Sequence, residues 1–223
     1  MYKAQSPKKP TLSRAEIAVV AFTLLYMLAW LIATVLLQNS EFVFYFVVMC
    51  VLIVAVGLVH LRVRFHPAAL WGLSLWGLAH MAGGLMPIPS SLPILGESHV
   101  LYNWWIVPGV LKYDQLVHAF GFGVVTWICW QSLQAAFANR GITIQPSFGL
   151  LTLCVAAGMG FGAGNEVVEF IATLTLPGTN VGGYANTGWD LVANFVGSIL
   201  AAGLILIRSR AKPTDQDTAA PSQ

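Results

Sequence analysis

Residues 42–61 read FVFYFVVMCVLIVAVGLVHL, a stretch of twenty residues with no Asp, Glu, Lys or Arg. Wound as a helix at about 1.5 Å per residue it is about 30 Å long, the thickness of a bilayer's hydrocarbon core. Comparable apolar runs occur at 16–37, 69–86, 114–137, 148–174 and 189–207. The chain is 223 residues long, 57% hydrophobic and only 9% charged, with a mean hydropathy of +0.73. A soluble domain carries roughly 25% charged residues, so so little charge requires lipid as the surrounding solvent. The expected fold is all-α: a polytopic membrane protein of six transmembrane helices in one domain, 1–211, followed by a polar, disordered tail at 212–223.

Positively charged loops stay on the cytoplasmic side, so Lys and Arg report orientation. Lys3, Lys8, Lys9 and Arg14 precede the first run, Arg62 and Arg64 follow the second, Arg140 follows the fourth, and Arg208, Arg210 and Lys212 follow the sixth. That is ten of the eleven on one side of an alternating path, with Lys112 alone on the other. Both termini are therefore expected in the cytoplasm. The first run is longer than the roughly 7–15 residues of a signal-peptide core and lacks a small-x-small cleavage site, so it is read as a retained helix.

A net charge of +2 with no basic stripe argues against nucleic acid as a partner and leaves membrane lipids. Cys50, Cys129 and Cys154 lie singly in separate apolar runs and read as packing residues, with no disulfide or zinc pattern. HLRVRFH, residues 60–66, reads as a headgroup-anchoring connection. The glycines of AAGMGFGAG, residues 156–164, form Gly158-x-x-x-Gly162 and Gly160-x-x-x-Gly164, a pattern for close helix packing and for self-association into homo-oligomers. The longest connection, 87–113, contains four prolines that forbid a continuous helix, with Tyr102, Trp104 and Trp105 as an interfacial belt. It is expected to lie over the outer surface as a partial lid.

Polar residues inside the spans are unevenly placed. Asp114 starts the fourth helix and His118 lies one turn, about 6 Å, deeper on the same face. The fifth helix carries Asn165, Glu166 and Glu169 near its outer end, the sixth carries Asp190 and Asn194 one turn apart, and the third carries His80 near its outer end. An ionised group at the bilayer centre costs roughly 2.5–3.5 kcal/mol, so four acids facing lipid would rival the roughly 5–15 kcal/mol that holds a fold together. They must face one another or water. Taken singly, Asp114 and Asp190 also read as first-turn acids favoured by the helix dipole, His80 as a packing histidine, and Asn165 and Asn194 as interhelical hydrogen-bonding groups. Glu166 and Glu169 have no such reading, because neither is near a helix start.

Two neighbouring carboxylates do not both ionise cheaply without a cation or a shared proton. Histidine with carboxylates is common ligand chemistry for zinc, iron or manganese. Two functions follow. In the first, a membrane-embedded hydrolase holds a divalent metal on His118, His80, Asp114 and Asp190, with Glu166 and Glu169 as catalytic carboxylates and Asn165 and Asn194 lining the pocket. Its substrate is then a lipid or lipid-linked envelope molecule. In the second, a proton- or cation-coupled carrier or lipid-binding protein exchanges protons or ions on Glu166 and Glu169 without catalysis.

The order Asp114-x-x-x-His118, Glu166-x-x-Glu169, Asp190-x-x-x-Asn194-x-x-Gly197 resembles that of VanZ-like membrane proteins, and more closely the YjdF-like family of uncharacterised bacterial inner-membrane proteins. The resemblance covers 69–207 and leaves the first two helices outside the VanZ-type core; Glu169 stands where VanZ-like proteins usually carry glutamine. It implies a multi-pass protein of the bacterial plasma membrane and, for VanZ, a link to glycopeptide susceptibility. It implies no reaction.

Overall fold

The computed structural model describes residues 12–211. It contains six helices: α1 (Arg14–Leu36), α2 (Ser40–Val63), α3 (Pro67–Leu85), α4 (Tyr113–Ala138), α5 (Phe148–Thr175) and α6 (Tyr184–Arg210). All but α3 are long and apolar enough to cross a membrane. In α3, of 19 residues, glycine, serine, tryptophan and His80 dilute the aliphatic content. The tail expected to be disordered, 212–223, lies outside the described residues, as do Lys3, Lys8, Lys9 and Lys212.

Helices α1, α2 and α5 start where the sequence supplies a side-chain partner for the orphan amides of the first turn. Ser13 and Glu16 form a capping box on α1, Asn39 accepts the Phe42 N–H on α2, and Ser147 accepts the Leu150 N–H on α5. Pro67 opens α3, where a missing N–H costs nothing. Glu16 also accepts from His60 Nε2 at 2.8 Å, while His60 Nδ1 accepts the Phe65 N–H at 3.1 Å, tying the start of α1 to the end of α2. Elsewhere α2 points aliphatic side chains outward, including Val47, Val51, Val54 and Leu58, and is buried chiefly at its two ends. That is the surface of a helix in lipid.

The tightest packing lies between α4 and α6, with α5 against both. A Cβ on Gly197 would overlap the carbonyl oxygen of Ala119, so the two backbones meet only because that position has no side chain. Of the glycine-rich face on α5, Gly158 abuts Thr126 and Ser198 and Gly162 abuts Asn194. Gly160 and Gly164 meet nothing within 4 Å among the described residues. The two interleaved motifs therefore divide, one inward and one outward. Thr126 and Ser198 are fully buried, and the Thr126 hydroxyl donates to the Phe122 carbonyl at 2.8 Å.

The connection between α3 and α4 is a compact cap. It contains a 3-10 turn (Leu101–Asn103) and a short antiparallel pair, β1 (Trp105–Val107) and β2 (Leu111–Lys112). Backbone bonds from Ile88 to His99, Leu95 to Asn103 and Trp105 to Pro93 fold it on itself, which is how a proline-rich segment satisfies its peptides without a helix. Tyr102 anchors the cap, donating its hydroxyl to the His80 carbonyl at 2.6 Å with its ring against Gly83. Burial holds the Tyr102 phenol well above the usual tyrosine range, so it remains a donor.

Candidate functional site

The starts of α2, α4 and α6 and the ends of α3 and α5 gather at one end of the bundle, beneath the cap. On α4, Asp114 and His118 stack one turn apart, with His118 Nε2 3.6 Å from Asp114 Oδ1. On α6 a stripe with a four-residue period, Asn186, Asp190 and Asn194, faces them. Asn194 Oδ1 lies 3.1 Å from His118 Nδ1, and Asn186 Nδ2 donates to Asp190 Oδ2 at 2.6 Å and to Asp114 Oδ2 at 3.3 Å. Asp190 and Asn194 are fully buried and His118 is 2% exposed. From α5, Glu166 Oε1 comes within 3.8 Å of His118 Nδ1, and Asn165 Nδ2 donates to Glu169 Oε1 at 2.9 Å.

The contacts of His118 distinguish its two ring nitrogens. Asn194 Oδ1 can only accept, so Nδ1 donates to it, and Nε2 is the nitrogen that faces Asp114. Metal-ligating histidines are commonly fixed in this way, by a hydrogen bond on the other ring nitrogen. Among the described residues, neither oxygen of Glu166 nor Oδ1 of Asp190 has a hydrogen-bond partner, although all three atoms are buried. Unsatisfied buried acceptors are rare and call for a proton or a cation. Two groups place one donor atom per residue within 4.8 Å of one another: Asp114, His118 and Asp190, and His118, Glu166 and Glu169.

Residues 17–211 match a protein family described as predicted membrane protein (DUF2238). The chain belongs to that family. No curated protein and no solved structure matches it. The DUF2238 match takes in α2 to α6 whole, nearly all of α1 and every residue of the cluster. It therefore includes the first two helices. This DUF2238 protein is thus a multi-pass membrane protein whose acids and histidine meet at one end of its bundle.

His80 stands apart from the ligand groups. Its ring packs 5.5 Å from Tyr102, 6.1 Å from Trp76 and 6.5 Å from Tyr45, and it joins neither set of three. It lines instead a cavity of about 520 Å³ between the helix ends and the cap, into which Asp114 and Glu169 also face. Five further residues complete the site and were not singled out from the sequence as pocket residues. Lys112, 4% exposed, donates from Nζ to Asp114 Oδ2 at 3.4 Å and to Asn186 Oδ1. Asn186 was detectable, being one period ahead of Asp190 and Asn194. Glu41 accepts the Asn180 N–H at 3.0 Å, and Asn103 Nδ2 donates to Asn180 Oδ1 at 3.2 Å. No local pattern marks Glu41 or Asn180, since helix starts and loops are where Glu and Asn ordinarily occur.

Proposed function

We propose that this chain is a membrane-embedded hydrolase holding a divalent cation on Asp114, His118 and Asp190, with Glu166 and Glu169 as its acid–base carboxylates. Its substrate is a lipid or lipid-linked molecule of the cell envelope. The observation that carries the reading is the orientation of His118, whose Nδ1 is engaged by Asn194 while Nε2 turns toward the Asp114 carboxylate. When bound, the cation supplies Lewis acidity toward water or an ester oxygen. Asn165 holds one oxygen of Glu169, leaving the other to take a proton from water in the cavity. His80 belongs to the cavity wall in this account rather than to the ligand set.

In the same reading all six helices, α3 included, cross the membrane as one domain with both termini cytoplasmic. The cavity then opens on the envelope side of a bacterial inner membrane, as a VanZ-like and YjdF-like relationship implies. Self-association through glycine falls to Gly160 and Gly164, since Gly158 and Gly162 are spent inside the bundle. A carrier is the weaker alternative. The acids all lie at one end, and beneath them the contacts of Gly197 with Ala119 and of Gly158 with Thr126 close the helices together, whereas transport sites are reached from both sides.

Metal analysis of the purified protein tests this. We expect about one divalent ion per chain, zinc or manganese by ligand chemistry. His118→Gln should lose it while far-UV circular dichroism stays helical. Wild-type protein free of metal after incubation with either ion, or a His118→Gln variant that retains it, contradicts the reading.

A further inference from the structure

The cavity's outer wall has a composition that a metal ion does not need. Phe42, Tyr45, His80 and Tyr102 form a continuous aromatic surface, with ring centroids 5.6 Å apart for Phe42–Tyr45, 6.5 Å for Tyr45–His80 and 5.5 Å for His80–Tyr102. The carboxylates of Glu41, Glu97 and Glu169 line the same space, together with that of Asp114, which Lys112 engages. Among the described residues the one lysine on the lining, Lys112, is already engaged by Asp114 and Asn186, so it does not neutralise this wall.

Inorganic divalent ions select oxygen and nitrogen donors and are indifferent to ring faces. Organic ammonium groups use both, a carboxylate for the charge and aromatic faces for the polarised carbons around it. Tyr45 adds an independent observation. It is only 8% exposed, it lines the cavity, and its hydroxyl has no hydrogen-bond partner among the described residues. One oxygen of Glu41 takes the Asn180 N–H, which fixes the carboxylate and leaves its other oxygen available.

We propose that the cavity binds an alkylammonium group between Glu41 and the Phe42–Tyr45–Tyr102 wall, and that the group is the headgroup amine of a membrane lipid. The identification of that lipid as substrate rests on the hydrolase reading; the binding of the amine does not, because Glu41 and the rings stand outside the metal ligands.

The experiment uses full-length protein in detergent with a chelator present, so that loss of metal and loss of amine binding are separate results. Native mass spectrometry after incubation with phosphatidylethanolamine or phosphatidylglycerol reads the lipid arm, and calorimetric titration with tetramethylammonium or ethanolamine chloride, against sodium chloride at equal ionic strength, reads the free-amine arm. We expect phosphatidylethanolamine to be retained about tenfold over phosphatidylglycerol and to be displaced by the free amines. Glu41→Gln keeps the acceptor for Asn180 but not the charge, and should weaken retention about tenfold. Tyr45→Leu should weaken it similarly, and Tyr45→Phe, which keeps the ring and loses the unpartnered hydroxyl, by a smaller factor. Saturable amine binding without lipid selectivity upholds the ammonium site and overturns the lipid as its source. Equal retention of both lipids with no amine binding by wild-type protein overturns the proposal, as does undiminished binding in folded Glu41→Gln and Tyr45→Leu.

Discussion

Valine at position 197 prevents the bundle from assembling, whereas valine at 203 on the same helix leaves it intact. At Gly197 even a Cβ would lie inside the carbonyl of Ala119, and the obstacle is backbone, which cannot rotate away. The reverse contact is close too, with a Cβ on Gly123 3.1 Å from the Gly197 carbonyl oxygen. Valine therefore forces α4 and α6 apart where their backbones meet and pulls His118 from Asn194. Overpacking costs typically 1–3 kcal/mol where side chains can yield, and we expect about 3 kcal/mol or more here. Gly203 meets nothing within 4 Å among the described residues, so its substitution has only lipid to displace. Thermal unfolding in detergent, followed by circular dichroism, should show Gly197→Val aggregated or melting far below wild type and Gly203→Val within a few degrees of it. Equal melting of the two would mean that α4 and α6 do not touch as described.

Lys112→Met is expected to destabilise the metal-free protein by about 3 kcal/mol, and adding Asp114→Asn should restore much of that loss. Lys112 and Asp114 are both buried, with Nζ 3.4 Å from Oδ2. Removing the ammonium leaves Asp114 facing the acids of α5 and α6 with only Asn186 donating to it. Breaking a buried pair is costly because one charge is stranded, whereas replacing both partners by neutral groups leaves none. Equilibrium unfolding of the single and double variants in chelator gives the coupling energy directly. A double variant no more stable than Lys112→Met would show that Lys112 acts by packing rather than by charge.

How much of this was legible in the sequence differs from element to element. Helices α2, α4 and α5 begin and end within two residues of their apolar runs, because hydrocarbon thickness and backbone satisfaction leave little freedom. The apolar run of α6 begins at 189, after the helix has started at Tyr184, so it leaves out Asn186, which belongs to the helix and donates to Asp190. The i,i+4 pairs of α4 and α6 showed which residues share a face, but not that Nδ1 of His118 would meet Asn194, which depends on the contact at Gly197. The division of labour among the α5 glycines, the folding of the cap over His80, and the link from Glu41 to Asn180 all depend on contacts distant in the chain. Periodicity does not carry that information. His80 illustrates the limit: its depth was legible, but a packing wall and a ligand position at the same depth look alike until neighbouring rings are placed.

The proposed hydrolase requires an ion held by one imidazole and the carboxylates of α4 and α6. X-ray absorption at the zinc or manganese edge of the purified protein reports that ligand set directly. We expect a first shell of nitrogen and oxygen donors, at about 2.0–2.2 Å for zinc, with the outer-shell scattering of a single imidazole ring that disappears in His118→Gln. A protein that binds no metal stoichiometrically, or whose metal shows sulfur or no imidazole in its shell, would contradict it.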